Sequence, residues 1–397
     1  MSASSLERAF RDERATVLAT ITRRLDGNLA LAEDAVQDAF VAAAIEWDRR
    51  GVPERPGAWL TTAAWRKALD RLRHEKVVAA YAPELVADVH HDEFDFDASA
   101  LDDDQLRMLF TCCHPALAPE ARMALTLRSV AGLTVPEIAR AFLSTDSAME
   151  RRLTRARDKV TDARIPFRVP ADDVLPERLA GVLRVVYLVF NEGHAATRAE
   201  LRTEALRLAR LLVRLMPDEA EAHGLLALLL LTDARSAARV DERGLVSLIE
   251  QDRSLWDGAA IAEGVAVLER ALRLPRPSAY AIQAAIAALH DQAPAFADTD
   301  WAQIAGLYGE LARHDRSPVV TVNRAVAIGF AAGPEAGLAA LPDDPRLARY
   351  QPLHAARAEL LRRAGDVAGA EAARQVAIEL SSSEAEREAL RRVGRRG

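Results

Sequence analysis

Residues 133–157 read LTVPEIARAFLSTDSAMERRLTRAR, and this stretch predicts two short helices separated by a turn. Thr134 and Glu137 have the spacing of a capping box, in which a hydroxyl and a carboxylate satisfy free N–H groups at a helix start. Ser147 and Glu150 repeat that spacing, so we expect Ser147 to cap a second helix that runs from Ala148 to Arg157. The side chains that share an inward helical face are Ile138, Ala139, Phe142, Met149, Leu153 and Ala156.

The second helix of this pair is basic on its outward face, where Arg151, Arg152 and Arg155 lie. Two short helices with a basic second helix are the arrangement that helix-turn-helix proteins insert into the major groove. Arginine can make two hydrogen bonds to a guanine or a phosphate. An ordinary helical hairpin with a solvated arginine face has the same spacing, so both interpretations stay open at this point.

A second basic helix is predicted between Pro56 and Lys76. Its apolar stripe comprises Trp59, Leu60, Ala63, Leu69 and Leu72. The basic residues Arg66, Lys67, Arg71 and Arg73 occupy the rest of the helix. Cations beside Trp59 and Trp65 suit unpaired DNA, because bases stack on aromatic rings and phosphates meet the cations. The alternative is that both tryptophans belong to the core.

A third feature is the short acidic helix predicted at residues 32–40, AEDAVQDAF. Its acidic face could dock a basic or helical partner. The alternative is a solvated acidic face over a core formed by Val36, Ala39 and Phe40.

The charge along the chain alternates, although the net charge is −7. Residues 49–76 carry eight Lys and Arg against three Asp and Glu, and residues 146–168 carry seven against four. Residues 84–104 between them carry nine acidic residues and no Lys or Arg. The basic clusters suit a phosphate backbone, and the acidic stretch predicts a linker.

Composition excludes several classes of protein. Of the 397 residues, 50% are hydrophobic, which is enough for packed cores and excludes global disorder. No apolar run approaches the ~18 residues of a membrane span, and the charged N-terminus has no secretory signal. The adjacent Cys112 and Cys113 offer no disulfide framework. We therefore expect a cytoplasmic protein that does not contact a membrane.

The whole chain is predicted to be all-α. From about residue 175, helices of about 12–20 residues follow one another with short turns, and Leu361, Gly365, Ala370 and Ala377 match part of a tetratricopeptide repeat. We expect two small helical domains, the second with the helix-turn-helix, followed by a tetratricopeptide-like α-solenoid. The expected boundaries are 1–80, an acidic linker at 81–100, 101–168 and 169–397.

Three other polar motifs are weaker candidates for a functional site. Cys112 and Cys113 precede His114, but adjacent helical side chains point about 100° apart and rarely share a metal ion. Residues 191–194, NEGH, have no accompanying nucleophile, phosphate loop or metal cluster. Residues 251–253, QDR, with Trp256 predict a buried Asp–Arg pair that joins two helices, and the alternative is part of a ligand pocket. We therefore expect no catalytic residues, no metal site and no cofactor.

The three helical motifs, in this order, resemble an extracytoplasmic-function sigma factor of bacterial RNA polymerase. Residues 32–40 resemble the segment that grips the polymerase, residues 59–73 the helix that melts and reads the −10 element, and residues 133–157 the helix-turn-helix that reads the −35 element. The resemblance implies RNA polymerase core and promoter DNA as partners. It also implies a non-enzymatic function in promoter selection.

The resemblance assigns roles to individual residues. Those implied to bind polymerase core are Glu33, Asp34, Gln37, Asp38 and Phe40. Those implied to bind the −10 element are Trp59, Thr62, Trp65, Arg66, Lys67, Arg71 and Arg73. Those implied to bind the −35 element are Thr145, Asp146, Ala148, Arg151, Arg152 and Arg155. The chain departs from the family pattern at Trp65, Arg66, Leu143 and Glu150, which puts the promoter sequence in doubt.

The remainder of the chain resembles the tetratricopeptide-like extension of one subgroup of these factors. The stretches that carry this resemblance are residues 165–170, 186–194, 250–257, 298–301 and 318–325. The extension could inhibit the sigma domains by contacting them, support their active conformation, or sense a ligand or protein. Two other functions stay open: a helix-turn-helix regulator with a repeat-type sensor that never joins polymerase, and a helical-repeat scaffold.

Overall fold

The structure, a computed structural model, is almost entirely helical and confirms the all-α prediction. The residues it describes are 3–74, 98–142, 144–195, 198–242, 244–275, 279–381 and 384–394. Within them, the one strand pair joins Val240–Asp241 antiparallel to Gly244–Leu245. The chain divides into two compact units, Met1–Leu215 and Met216–Gly397.

The first unit contains nine of the described helices. They are α1 Ala3–Arg24, α2 Leu29–Arg50, α3 Pro56–His74, α4 Ala98–Cys112, α5 Pro119–Ser129, α6 Val135–Ala141, α7 Asp146–Asp162, α8 Leu175–Ala195 and α9 Ala199–Leu215. Of the linker expected at 81–100, only the last three residues are described, and they begin α4.

Local chemistry determines where these helices begin and end. Asp26 and Gly27 adopt positive φ angles of 51° and 85°, which breaks the chain between α1 and α2. Asn28 then caps α2 by accepting a hydrogen bond from the backbone N–H of Leu31 at 3.1 Å. Trp47 and Phe110 are among the largest fully buried side chains of this unit and anchor its core.

Helices α8 and α9 pack in the same unit as the N-terminal helices. Arg178 of α8 donates to the carbonyl of Phe110 at 2.7 Å, and Arg207 of α9 donates to the carbonyl of Val130 at 2.9 Å. The extension's expected start at residue 169 stays a prediction, and helices on both sides of that position share these hydrogen bonds.

The second unit is a succession of helix pairs. Its helices are α10 Ala220–Asp233, α11 Gly258–Arg273, α12 Ala279–Gln292, α13 Trp301–His314, α14 Pro318–Ala332, α15 Pro334–Ala340, α16 Gln351–Arg363, α17 Val367–Leu380 and α18 Glu384–Gly394. Helices adjacent in the chain pack together, as in α10 with α11, α13 with α14 and α16 with α17. This is the arrangement expected of a helical-repeat region.

Two glycines allow α14 and α15 to approach closely. A Cβ on Gly337 would lie 2.7 Å from the Cα of Gly329 and 3.0 Å from the carbonyl oxygen of Ala325. Both neighbours are backbone atoms, so they cannot move aside as a flexible side chain can. A side chain at Gly337 would therefore force the two helices apart.

We predict that Gly337→Ala lowers the free energy of unfolding of the second unit by about 1–3 kcal/mol. The matched control is Gly306→Ala, because Gly306 lies inside α13 and a Cβ there meets nothing within 4 Å. That control should gain about 0.5–1 kcal/mol from improved helix propensity. Urea unfolding followed by tryptophan fluorescence measures both, and a stabilising Gly337→Ala would contradict the described helix contact.

The Asp–Arg pair expected at residues 251–253 is wrong in its acidic partner. Asp252 is exposed and caps a short 3₁₀ turn by accepting from the Ser254 N–H at 2.9 Å. Arg253 instead donates to the carbonyl of His290 at 2.6 Å and lies over the Trp256 ring at 4.3 Å. The buried acid of this cluster is Asp291, whose carboxylate lies 3.5 Å from Arg235.

Candidate nucleic-acid interface

The first helix of the helix-turn-helix, α6, begins with the predicted capping box. The Thr134 N–H donates to the Glu137 carboxylate at 2.7 Å, and the Glu137 N–H donates to the Thr134 hydroxyl at 3.4 Å. Ile138 and Ala139 are fully buried, as their spacing predicts. The cap therefore fixes the entry to the motif, and the apolar face attaches it to the core.

The second helix, α7, starts earlier than predicted. Its N-cap is Thr145, whose hydroxyl accepts from the Ala148 N–H at 3.2 Å, and Asp146 is the first helical residue. The capping box expected from Ser147 and Glu150 is therefore wrong. Thr145 already has the extended backbone of a cap, so Ser147 falls inside the first turn. Leu143, one of the departures from the family pattern, lies outside the described residues.

The apolar residues of α7 are buried and its arginines lie on the opposite face, as the sequence predicts. Met149, Leu153 and Ala156 are buried. Arg151 and Arg155 are exposed and Arg152 is half-buried. Thr145 and Asp146 are exposed and Ala148 is half-buried at the start of the same helix. This end of α7 thus presents backbone N–H groups and a row of guanidinium groups, which together can contact phosphates and base edges.

Helix α3 presents cations, but its tryptophans are less accessible. Arg66, Lys67 and Arg73 are exposed. Trp65 is only 6% exposed, and the Arg24 guanidinium lies 5.5 Å from its ring. In this conformation, therefore, the Trp65 ring is not presented to a nucleic-acid base.

Two more of the predicted contacts on α3 are partly accessible. Trp59 is half-buried and packs edge-to-face on Trp47 with ring centroids 5.4 Å apart. Thr62 is half-buried, and its hydroxyl donates to the Ala58 carbonyl at 3.0 Å. Their assignment to the −10 element stays a prediction.

The acidic side chains of α2 bind the basic helix α3. Arg71 donates to Asp34 at 2.6 Å and to Asp38 at 2.8 Å. Gln37 is exposed on the same helix, whereas Phe40 is buried in the core. The structure thus brings one residue assigned to the −10 element together with two assigned to the polymerase.

Glu33 is the remaining residue of the predicted polymerase site, and it is only 6% exposed. Its carboxylate accepts a hydrogen bond from Arg157 of α7 at 2.6 Å and from the Ser129 hydroxyl at 3.4 Å. Arg14 lies 3.7 Å away and is itself 3% exposed. Burial lowers the pKa of Arg14 to about 10, so its guanidinium is still charged at neutral pH.

Sequence reasoning did not find this buried ionic cluster of Arg14, Glu33, Ser129 and Arg157. Ser129 and Arg157 lie 96 and 124 positions from Glu33 in the chain, so no local pattern links them. Two further hydrogen bonds join α1 to α4: Arg23 donates to Asp104 at 3.0 Å, and Gln105 donates to Thr16 at 2.7 Å.

The two cysteines are free thiols in the core. Both Cys112 and Cys113 are buried, and burial raises the pKa of the Cys113 thiol to about 11 and that of Cys112 well above its usual value. Thiols of this kind react slowly, because the thiolate is the nucleophile. In the part of the chain that the structure describes, no group of three or more His, Cys, Asp or Glu side chains could hold a metal ion.

None of the helices in the described ranges combines the length and apolar character needed to cross a bilayer.

Three known families match consecutive parts of this chain. Sigma-70 region 2 matches residues 11–77, which contain α2 and α3. Sigma-70 region 4 matches residues 107–160, which contain α6 and most of α7. A family of unknown function, DUF6596, matches residues 178–272.

Two relatives agree with these matches. An uncharacterized protein of Rhizobium meliloti is 45% identical over 373 residues, which cover 90% of this chain and 88% of that protein. The ECF RNA polymerase sigma factor SigJ of Mycobacterium tuberculosis is 31% identical over 150 residues, covering 36% of this chain and 46% of that factor. The chain therefore belongs to the extracytoplasmic-function branch of the sigma-70 family and carries a DUF6596 region after its two sigma regions.

Proposed function

We propose that this protein is an alternative sigma factor that directs bacterial RNA polymerase core to specific promoters in the cytoplasm. The observation that carries the proposal is the basic face of α7. It lies on the second helix of a capped helix-turn-helix, within a sigma-70 region 4 and downstream of a sigma-70 region 2. A protein of this kind selects the start site and leaves the covalent chemistry to the polymerase.

The −35 contacts are assigned to α7. Arg151, Arg152 and Arg155 supply its cationic row. The N-terminal turn, with Thr145 and Asp146, lies at the end of the helix that enters a groove in helix-turn-helix complexes. Glu150 is exposed beside the arginines and repels phosphate, so it restricts how α7 can be oriented on DNA.

The −10 contacts are assigned to α3. Its exposed cations, Arg66, Lys67 and Arg73, supply the phosphate contacts, and Trp59 supplies a partly accessible ring for stacking. Arg71 is bound to Asp34 and Asp38, and it contributes a phosphate contact once these two carboxylates bind another basic surface. Polymerase core is the partner we assign to that acidic face of α2.

The extension is assigned a supporting or regulatory function toward the sigma regions. Arg178 and Arg207 reach backbone carbonyls at the C-terminal ends of α4 and α5, and Arg214 lies 3.3 Å from the Gln105 side chain. These bonds support the proposal that α8 and α9 hold region 4 in place.

Binding to DNA with and without polymerase tests the proposal. A labelled duplex from upstream of the protein's own coding sequence is titrated with the full chain alone, with core alone, and with both. We expect tight, salt-dependent binding only when both are present. Equally tight binding by the chain alone would favour the helix-turn-helix regulator, and no salt-dependent binding in any mixture would favour the scaffold.

A further inference from the structure

A polar cluster of the second unit lies where helices α10 and α12 end. Its members, which we name the Asp291 cluster, are Arg235, Arg253, Trp256, His290 and Asp291. The Arg235 guanidinium lies 3.5 Å from the Asp291 carboxylate, and Arg253 donates to the His290 carbonyl at 2.6 Å. The end of α10, the turn before α11 and the last turn of α12 therefore bring charged side chains together.

The Asp291 carboxylate is buried without a hydrogen bond. Its side chain is 0% exposed, and neither oxygen accepts a hydrogen bond from the residues that the structure describes. Arg235, at 3.5 Å, lies beyond the ordinary hydrogen-bond distance of about 2.7–3.2 Å. Asp291 also lies in the last turn of α12, where the partial negative charge of the helix end disfavours an anion. Such a carboxylate is unfavourable unless a donor binds it.

Arg253 is held by backbone carbonyls and not by the acid. Its Nη1 donates to the carbonyls of His290 at 2.6 Å and Ala293 at 2.8 Å, and its guanidinium lies 4.3 Å from the centre of the Trp256 ring. In the described part of the chain, neither Nη2 of Arg253 nor Nε1 of Trp256 has a hydrogen-bond partner. Two buried N–H donors on side chains in contact are therefore fixed in place for an acceptor.

The unpaired atoms of this cluster include both donors and acceptors. Buried polar atoms in folded proteins are nearly always hydrogen-bonded, and a lone exception is commonly bound by one water molecule. Here the Arg253 and Trp256 donors adjoin both oxygens of Asp291, and Nδ1 of His290 is a further unpaired atom among the described residues. A molecule that offers an acceptor and a donor together would satisfy both kinds of atom.

The charge of the cluster indicates the charge of that molecule. Burial lowers the pKa of His290 to about 4 and raises the pKa of Asp291 to about 6, so at pH 8 the histidine is neutral and the carboxylate is charged. With Arg235 and Arg253, the buried groups then carry one net positive charge. Asp298 also acts on Arg253, but it is exposed, so water and salt screen it. An anion is therefore favoured.

We propose that the Asp291 cluster binds a small α-hydroxycarboxylate. The carboxylate of the ligand accepts hydrogen bonds from Nη2 of Arg253 and Nε1 of Trp256, and its hydroxyl group donates to Asp291. One carbon between these two groups suits partners that lie on contacting side chains. The inference goes beyond the proposed function, because the promoter contacts assigned above use none of these residues.

Calorimetric titration of the full chain at pH 8, without polymerase or DNA, tests the site. The probes are glycolate and L-lactate, with acetate as the analogue that lacks the hydroxyl group and glycine as the analogue that has an ammonium group in its place. We expect glycolate or L-lactate to bind with a Kd of about 1 mM or tighter. Acetate and glycine should each bind at least tenfold more weakly, because acetate leaves Asp291 unpaired and glycine adds a positive charge.

Variants of the cluster test the assigned contacts. Asp291→Asn keeps the shape of the side chain and removes the charged acceptor, so glycolate should bind at least tenfold more weakly while acetate binds no more weakly than before. Trp256→Phe keeps a ring beside Arg253 and removes the N–H donor, so both anions should bind more weakly. Asp298→Asn is the matched control, because it removes an exposed acid near Arg253, and glycolate affinity should stay within about twofold.

Four results would overturn the proposal. The first is a folded wild-type chain that binds neither glycolate nor L-lactate, which would indicate a cluster that holds water only. The second is equal affinity for acetate and glycolate, and the third is tighter binding of glycine. The fourth is an Asp291→Asn variant, shown by circular dichroism to be folded, that binds glycolate as the wild-type chain does. Because these titrations contain no polymerase or DNA, none of the results depends on the proposed function.

Discussion

Replacing Arg151, Arg152 and Arg155 together with alanine should weaken promoter binding by the polymerase-bound protein at least about 100-fold. An arginine contact to a base contributes about 1–3 kcal/mol, and each 1.4 kcal/mol is a factor of about ten in affinity. The three losses together therefore exceed about 3 kcal/mol. The dependence of affinity on salt should also become shallower, by about one in slope for each phosphate contact removed.

The matched control removes the same charge from a surface that has no assigned DNA contact. Arg270, Arg273 and Arg313 are exposed in the second unit, and their replacement by alanine should leave promoter affinity within about twofold. Circular dichroism checks that both variants are folded, because Arg152 is half-buried. Equal losses in the two triple variants would show that net charge, and not α7, determines binding.

Acidification should destabilise the second unit through His290. Burial, together with the nearby Arg235 and Arg253, lowers the pKa of His290 from 6.5 to about 4. Its neutral ring packs edge-to-face on Trp301 with ring centroids 5.1 Å apart. Below pH 6.5 His290 is protonated in the unfolded chain but stays neutral in the folded chain. The free energy of unfolding therefore falls until the pH reaches about 4. The expected loss is about 3 kcal/mol.

Asp291 opposes this effect and must be separated from it. Burial raises its pKa to about 6 despite Arg235 and Arg253, so its contribution to stability is present at low pH and is lost as the pH rises through about 6. We therefore compare the wild-type chain with His290→Gln, in which Asp291 is retained. The free energy of unfolding of each chain is measured with urea from pH 7 to pH 4. Over this range the wild-type chain should lose about 3 kcal/mol more than the His290→Gln variant. A difference that does not change with pH would contradict this account of His290.

The helix boundaries that sequence predicted best are those set by local chemistry. Local signals in the sequence mark the start of α13 at Trp301 and of α17 at Val367. Each follows an aspartate, Asp300 or Asp366, whose carboxylate accepts an N–H of the first turn. The start of α7 was harder to predict, because Thr145 and Ser147 can both cap and only the backbone conformation distinguishes them.

The candidate DNA-binding face could be predicted for the same reason. Arg151 and Arg155 lie four residues apart on a helix whose buried side is apolar, so periodicity alone indicates their exposure. The contact of Glu33 with Arg157 could not be predicted in this way, because it depends on how two distant segments pack. The prediction that Asp252 pairs with Arg253 was wrong for a related reason, because the Asp252 carboxylate caps a local turn instead.

Run-off transcription tests the central claim most directly. The template carries the region upstream of the protein's own coding sequence, and the reactions contain core polymerase with the full chain or with the variant lacking Arg151, Arg152 and Arg155. The account predicts a transcript of one defined length with the wild-type chain, none with core alone, and at least tenfold less with the variant at the same concentration. If the full chain binds this duplex without polymerase and yields no defined transcript with it, the sigma-factor account is contradicted.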